Sequence, residues 1–308
     1  MTDRESGWSA RLFVGLQHLL PQHTLSLLMY RLSRVEWAPL KALMIRTYVY
    51  LVGVDMTTAA EPSLTAYPHL NAFFTRALRP GARPLDPAPE AVLCPVDGTI
   101  SQIGTITDGR LIQAKGHDFT VSDLLGGRGE AHHLFDGGRF ATIYLSPRDY
   151  HRIHMPLAGD LAEMTYIGGR LFSVNQATAA LVPGLFARNE RVLCLFGTDA
   201  GPMAVVLVGA IIVGGIETVW EGEVAPALPG LRCRRWHYTG KNRQVRLDRG
   251  MELGRFNLGS TIILLFPAGA VTWNPALAPG SRVRLGQRIG TLGFSHSDET
   301  SNSGAKGI

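Results

Sequence analysis

The amino-acid sequence predicts an α+β fold, in which N-terminal amphipathic helices precede a mainly antiparallel, barrel- or sandwich-like β domain. Apolar residues recur at helical spacing through residues 8–54, whereas short β-branched runs separated by turns begin at about residue 91. The 308 residues include 35 glycines and 18 prolines, a bias that favours turns and short strands over a helical bundle. Hydrophobic residues make up 45% of the chain, which is enough for a sizeable core.

Domain boundaries follow the same changes in composition. We assign residues 1–54 to the helices, 55–90 to a connecting segment, 91–294 to the β domain and 295–308 to a disordered polar tail. Within the connecting segment, the spacing of apolar residues predicts one helix over Leu70–Leu78.

Three apolar stripes, separated by breaks at Pro21 and Pro39, predict three N-terminal helices. Residues 8–54 contain five basic residues and one acidic residue, Glu36. Apolar faces with basic and aromatic flanks suit helices that lie in a membrane interface, and the sequence leaves open the alternative that the stripes pack on the rest of the protein. No apolar run reaches the roughly 20 residues that a membrane span needs.

The β-branched runs after residue 91 have lengths typical of strands, and the turn residues between them favour antiparallel pairing. These runs predict six strands: Thr99–Ile106, Phe140–Leu145, Val192–Phe196, Val205–Val213, Val245–Leu247 and Ser260–Phe266.

Charge and cysteine usage exclude several classes of protein. The formal net charge is +5, and no run of lysine or arginine exceeds two residues, so no nucleic-acid partner is indicated. Cys94, Cys194 and Cys233 are far apart, which predicts neither a disulfide framework nor a cysteine zinc site. The standard nucleotide-binding, zinc-protease and serine-hydrolase motifs are absent. The first ten residues do not resemble a signal peptide.

Asp97 belongs to the first of three segments with reactive groups. It precedes Gly98 at the start of a predicted strand. An Asp-Gly pair commonly forms a turn. The alternative is a carboxylate that is held at a sheet edge and orients a histidine there.

The second segment runs from Ser146 to Pro156 and contains His151 and His154. A serine followed by proline predicts a short helical turn, on which these two histidines would share a face. Two imidazoles near an acid could transfer protons or bind a metal. Because no third ligand follows at a recognisable spacing, we predict no metal site.

The third segment places Gly259 and Ser260 directly before the apolar run Ile262–Phe266. Such a turn before a strand is common and needs no function. A serine hydroxyl beside a glycine carbonyl can, however, attack that carbonyl through a five-membered ring when a base removes its proton.

Seven motifs in order together resemble the phosphatidylserine decarboxylase family, whose members are pyruvoyl-dependent, self-processing membrane enzymes. The motifs are Pro95–Gly98, Gln113–His117, Tyr144–Pro156, Leu171–Asn175, Phe186–Arg191, Gly215–Trp220 and Gly254–Thr261. The resemblance extends from about residue 10 to residue 294, and the tail lies outside it.

The resemblance implies that Ser260 attacks the carbonyl of Gly259, with His154 as the base and Asp97 as the residue that orients it. Cleavage between Gly259 and Ser260 would give a large β chain, 1–259, and a small α chain, 260–308, held together non-covalently. Residue 260 would become a covalent pyruvoyl group. The family leaves open whether these two-chain units dimerise further.

The resemblance also implies the reaction. The pyruvoyl group would form a Schiff base with the amine of phosphatidylserine and release CO₂ to give phosphatidylethanolamine. We assign reprotonation of the carbon to His151. The N-terminal helices would hold the enzyme peripherally on the cytoplasmic side of the cell membrane.

Two alternatives from other classes stay open. The first is a serine hydrolase with an Asp97, His154 and Ser260 triad, which would remain a single chain. The second is a non-catalytic membrane-binding module that uses only the basic helical region, a reading that leaves these three residues unexplained.

Overall fold

The computed structural model describes residues 7–114, 116–127, 130–212, 215–226, 232–240, 243–257 and 260–293. Gly259, on one side of the expected cleavage site, and the predicted disordered tail 295–308 lie outside the described residues.

The described residues form three long N-terminal helices, as predicted, and several short ones. The α-helices are α1 (Trp8–Leu19), α2 (Gln22–Leu32), α3 (Ala38–Val52), α4 (Leu70–Phe74), α5 (Val121–Leu124), α6 (Gln176–Leu181) and α7 (Leu185–Arg188), and Ala131–Phe135 form a 3₁₀ helix.

Helix α4 ends four residues earlier than the predicted Leu70–Leu78. The hydroxyl of Thr75 bonds to the carbonyl of Asn71, and Leu78 forms an isolated β-bridge with Ala59. The chain therefore leaves the helix in order to pair with the connecting segment.

The remaining elements are strands, whose pairings within sheets are antiparallel in the described part of the chain. They are β1 (Ala91–Leu93), β2 (Gly98–Thr105), β3 (Arg110–Ala114), β4 (His117–Thr120), β5 (Arg139–Leu145), β6 (Arg152–His154), β7 (Gly159–Ile167), β8 (Arg191–Thr198), β9 (Gly201–Val208), β10 (Ile216–Thr218), β11 (Gly222–Ala225), β12 (Cys233–His237), β13 (Arg246–Leu247), β14 (Glu252–Phe256), β15 (Ser260–Phe266), β16 (Val271–Trp273), β17 (Arg282–Val283) and β18 (Arg288–Leu292).

The main sheet has nine strands in the order β12-β7-β8-β9-β15-β5-β2-β17, with β13 paired to β7. Smaller sheets have the orders β11-β10-β14-β6, β1-β18-β16 and β3-β4. The architecture confirms the predicted α+β class, and the strands form open sheets rather than a closed barrel.

Strand β15 lies between β9 and β5, and both of its faces are buried. Ile262 and Leu264 pack in the hydrophobic core on one side of the sheet, and Ile263 and Leu265 pack in the core on the other side. Alternate side chains of a strand point to opposite faces, so a strand covered on both faces is apolar throughout. The continuous apolar run Ile262–Phe266 therefore predicts this strand from the sequence alone.

The predicted strand Val205–Val213 extends too far. The structure has β9 over Gly201–Val208, and Ile212 adopts a positive φ of 68°, which a strand does not allow. The backbone N–H of Ile212 donates instead to the hydroxyl of Ser26 in α2, so this segment serves as an attachment point for the N-terminal helices.

Helices α1 and α2 attach to the β domain through polar side chains. The amide oxygen of Gln17 accepts from the N–H of Ser173, and that of Gln22 accepts from the N–H of Leu171. Both glutamines are buried. None of the helices in the described part of the chain combines the length and hydrophobicity that a membrane span requires.

Candidate active site

Three adjacent strands of the main sheet bring the predicted site residues to one end. Ser260 is the first residue of β15 and pairs with Leu145, the last residue of β5. On the other side of β5, Thr99 of β2 pairs with Tyr144, so Asp97 precedes β2 at the same end. The segment that contains the histidines begins directly after β5. The sheet topology therefore gathers all three predicted segments.

Gly98 allows β2 and β5 to approach closely at this end. A Cβ at this position would lie 2.6 Å from the carbonyl oxygen of Tyr144 and 2.9 Å from Cγ2 of Ile143. Contacts this short would force the two strands apart. The glycine after Asp97 is therefore required by strand packing.

The predicted helical turn between Ser146 and Pro156 is wrong. The side chain of Asp149 accepts from the N–H and the hydroxyl of Ser146, at 2.8 and 2.6 Å, and forms an ion pair with Arg282. These contacts fix a turn, after which Arg152–His154 form β6 and pair with β14. The two histidines therefore do not share a helical face.

His151 is fully buried, and its ring lies against Phe74 with the ring centroids 4.1 Å apart. Nδ1 lies 2.8 Å from the carbonyl oxygen of Asp149. Because a carbonyl only accepts, Nδ1 carries the proton and Nε2 carries the lone pair, which has no partner. Burial lowers the pKa of His151 to about 4, and the positive charge of Arg76 contributes to the lowering.

His154 is half-buried in β6. Its Nδ1 donates to the carbonyl of Gly250 at 2.8 Å, and its Nε2 accepts from the hydroxyl of Tyr150 at 3.2 Å. Burial lowers the pKa of His154, while the Gly250 carbonyl and the charges of Glu252 and Asp97 oppose this effect. Burial also raises the pKa of Tyr150 to about 12, so its hydroxyl keeps the proton that it donates.

Asp97 is buried and held on two sides. Arg83 donates from Nε to both carboxylate oxygens, at 2.9 and 3.1 Å, and the N–H of Leu285 donates to Oδ1 at 2.9 Å. The backbone N–H of His154 donates to the carbonyl of Pro95, two residues before Asp97. The carboxylate is thus anchored beside the strand that carries His154.

Ser260 is fully buried, and its hydroxyl has no hydrogen-bond partner in the described part of the chain. Among the described residues, no hydrogen bond joins Ser260 to His151 or His154, or Asp97 to either histidine. The structure thus brings the four residues to one end of the sheet without linking them in a relay. The described residues contain no cluster of three or more candidate metal ligands.

Three further polar residues lie near this end, and the sequence does not predict them as site residues. Asn71 donates from Nδ2 to Oδ1 of Asn257 at 3.2 Å, and each of these buried amides keeps one unpartnered atom. Arg76, two residues after Phe74, is buried and its Nε has no partner. Asn257 lies in the Gly254–Thr261 motif, and the other two lie in the helix predicted over Leu70–Leu78, but neither pattern reveals burial.

An unbonded serine hydroxyl, a buried carboxylate and two histidines at one sheet end are typical of an enzyme, and fold and site together define the chain as one. A family model described as phosphatidylserine decarboxylase matches residues 70–291, and a second, described as PSD, matches residues 12–50. The chain belongs to the phosphatidylserine decarboxylase family.

Curated relatives match over nearly the whole chain. The phosphatidylserine decarboxylase proenzyme of Azotobacter vinelandii is 56% identical over 283 residues, which cover 91% of this chain and 98% of that protein. The proenzyme of Marinobacter nauticus is 55% identical over 283 residues, covering 92% and 98%, and that of Ectopseudomonas mendocina is 55% identical over 280 residues, covering 91% and 98%. These matches confirm the resemblance and the predicted enzyme class, a carboxy-lyase.

Proposed function

We propose that this chain is the precursor of a phosphatidylserine decarboxylase that cleaves itself between Gly259 and Ser260. The observation that carries the proposal is Ser260, a fully buried hydroxyl without a partner at the start of the central strand. Leaving such a group unpaired costs about 1–3 kcal/mol. Thr142 and Thr261 also carry buried hydroxyls without a partner, and Ser260 differs from them in directly following Gly259, whose carbonyl its hydroxyl can attack through a five-membered ring. The relatives named as proenzymes add independent support.

The cleavage uses only groups of the chain. Oγ of Ser260 attacks the carbonyl carbon of Gly259, the peptide C–N bond breaks, and an ester forms. His154 takes the hydroxyl proton and returns it to the freed amine, while Asp97 stabilises the imidazolium. A base removes the Cα proton of residue 260, the Cβ–Oγ bond breaks by β-elimination, and the products are a carboxylate on Gly259 and a dehydroalanine at residue 260. Addition of water and loss of ammonia then give a pyruvoyl group at residue 260.

The residues around position 260 fit such a group. Nε2 of His151 is a buried nitrogen without a partner at the same end of the sheet, available to a substrate held at residue 260. The pyruvoyl group supplies an electron-withdrawing carbonyl that condenses with a primary amine and accepts the electrons left by departing CO₂.

His151 is the residue that we assign to reprotonation of the substrate carbon. In the free protein it is neutral at pH 7, because burial lowers its pKa to about 4. A substrate with a carboxylate and a phosphodiester brings negative charge to the site, and nearby negative charge raises the pKa of a histidine. His151 can therefore take up a proton when substrate binds and deliver it after CO₂ leaves.

The intact mass of the purified protein tests this proposal. We expect two chains, residues 1–259 and 260–308, with no free amine at the start of the smaller one. Incubation with phosphatidylserine vesicles should release CO₂ and form phosphatidylethanolamine. Treatment with cyanoborohydride during turnover should attach the lipid amine to the small chain. A single uncut chain that hydrolyses added esters would instead establish the serine hydrolase.

We further propose that the enzyme works at a membrane surface through α1 and α2. Three of their five buried positions are polar, namely Gln17, Gln22 and Ser26, and the other two are the small apolar residues Ala10 and Val14. Their large apolar residues point outward and are exposed: Trp8, Leu12, Phe13, Leu16, Leu19, Leu27, Leu28 and Leu32. An exposed row of large apolar residues suits insertion into the interface of a lipid bilayer.

The double variant Leu12→Glu/Leu16→Glu is expected to lower binding to anionic phospholipid vesicles by at least about 100-fold, because each leucine loses about 1.5–3 kcal/mol of apolar burial. Sedimentation with vesicles measures this effect. The matched control is Ile112→Glu/Leu134→Glu, whose residues are similarly exposed but lie in the β domain. Equal vesicle binding by the two double variants would contradict the membrane assignment.

A further inference from the structure

Arg76 is a buried arginine whose Nε has no hydrogen-bond partner among the described residues. Only 4% of its surface is exposed, and Nε is buried with no hydrogen bond. No ion pair or hydrogen bond of its guanidinium involves another described residue. The ring of Phe73 lies below it, with its centroid 5.4 Å from Cζ. A cation–π contact of this kind leaves the N–H donors of the guanidinium unused.

Arg191 is a second buried arginine of this fold, and its contacts are those of a structural residue. It is as deeply buried as Arg76, with 2% of its surface exposed. Its guanidinium donates to four backbone carbonyls at 2.6–2.9 Å: those of Asp123, Leu124, Ala187 and Asn189. Among the described residues, Arg76 has no comparable acceptors, so its N–H donors are left for another group.

The segment that carries Arg76 borders the candidate active site. Phe74 packs against the ring of His151, and the carbonyl of Thr75 accepts from Nε of Arg152 at 2.8 Å. The guanidinium of Arg76 lies over the ring of Phe73, and Tyr48 packs edge-on against both Phe73 and Phe74. Arg76 and His151 therefore contact neighbouring rings of one aromatic cluster, and the charge of Arg76 contributes to the lowered pKa of His151.

The nearby acids do not neutralise Arg76. Asp97 and Asp55 both act on its charge, but neither forms an ion pair with it. Asp97 is bound by Arg83 and by the N–H of Leu285. Asp55 accepts from the N–H and the hydroxyl of Thr57. A buried guanidinium that stays protonated without a partner is costly, and an anionic ligand would relieve that cost.

The lipid substrate of the proposed function offers two anions, a carboxylate and a phosphodiester. The carboxylate loses its charge as CO₂ departs, so an arginine bound to it would stabilise the ground state more than the transition state. The phosphodiester keeps its charge throughout, and a guanidinium can bind two of its oxygens at once.

We propose that Arg76 binds the phosphodiester of the lipid headgroup and so positions the substrate amine at residue 260. This assignment rests on the proposed function. Helix α3 lies over the same region, since Tyr48 packs edge-on against Phe74 and donates its hydroxyl to the carbonyl of Pro147 at 2.7 Å. The headgroup site is therefore covered by one of the N-terminal helices.

The variant Arg76→Gln tests the assignment by steady-state kinetics. We expect normal cleavage into two chains, a KM for phosphatidylserine raised about 10- to 100-fold and a kcat within about two-fold of wild type, because the lost contact is equal in the ground and transition states. The matched control is Arg79→Gln, three residues away and exposed, which should leave both constants unchanged.

Glycerophosphocholine, which carries the phosphodiester but neither a carboxylate nor a primary amine, distinguishes the two anions. It should inhibit the wild type and inhibit Arg76→Gln more weakly by the same factor as the rise in KM. Equal inhibition of both proteins, or a loss of kcat at constant KM, would overturn the assignment. A wild type that is uncut and inactive would contradict the proposed function instead.

The variant Arg76→Lys tests the assignment of Arg76 to the phosphodiester if Arg76→Gln does not fold into the two-chain form. Arg76→Lys keeps the charge but loses the planar fork of donors. We expect its KM and its inhibition constant for glycerophosphocholine to rise together by several-fold. Wild-type values for both constants in the lysine variant would overturn the assignment.

Discussion

Replacement of Ser260 by alanine is expected to leave the chain as one polypeptide of residues 1–308 without measurable decarboxylase activity. Alanine has no oxygen that could attack the preceding carbonyl at the start of β15. Intact mass at successive times after purification, together with CO₂ release from phosphatidylserine, measures both effects. Wild-type amounts of the small chain in Ser260→Ala would exclude Ser260 as the nucleophile.

The same variant should fold at least as well as the wild type. The hydroxyl of Ser260 is buried without a partner, so its removal relieves a cost of about 1–3 kcal/mol, and the uncut chain keeps its covalent connection. Thermal unfolding measures this. Thr142→Val is the matched control, because Thr142 on β5 is also buried with an unpartnered hydroxyl. It should be cleaved and active, which separates the loss of a buried hydroxyl from the loss of the nucleophile.

The elements that the sequence predicts best are those whose burial is uniform. Strand β15 was predicted with its observed bounds, Ser260–Phe266, because both faces of a central strand require apolar side chains. The three long helices were predicted from their apolar period. The strand predicted to end at Val213 ends at Val208, because apolar character alone does not reveal where the chain leaves a sheet.

Tertiary contacts decided the features that could not be predicted. The apolar stripes of α1 and α2 show that one face is hydrophobic, but the burial of Gln17 and Gln22 is what turns that face outward. Between Ser146 and Pro156, the ion pair of Asp149 with Arg282 replaces the predicted helical turn with a bend, and the two partners are 133 residues apart. No local pattern signals such a contact.

We expect His154 to act in self-cleavage and His151 to act in decarboxylation. His154→Ala should remain uncut, whereas His151→Ala should be cleaved and then decarboxylate at least about 100-fold more slowly, which is the usual loss when a general acid is removed. The fraction of small chain by mass measures cleavage, and kcat per mole of cleaved enzyme measures the second step. His23→Ala, at an exposed position in α2, is the control and should match the wild type in both measurements.

The two histidines differ in how readily each ring accepts a proton before substrate binds. Self-cleavage takes place in the free precursor, so the base must accept the proton of the Ser260 hydroxyl before any substrate is present. Burial lowers the pKa of His154, but the ring is only half-buried, and the Gly250 carbonyl and the charges of Glu252 and Asp97 oppose this effect. His151 is fully buried with the charge of Arg76 nearby, and its pKa of about 4 makes the imidazolium costly until an anionic headgroup binds. An uncut His151→Ala together with a cleaved His154→Ala would reverse the two assignments.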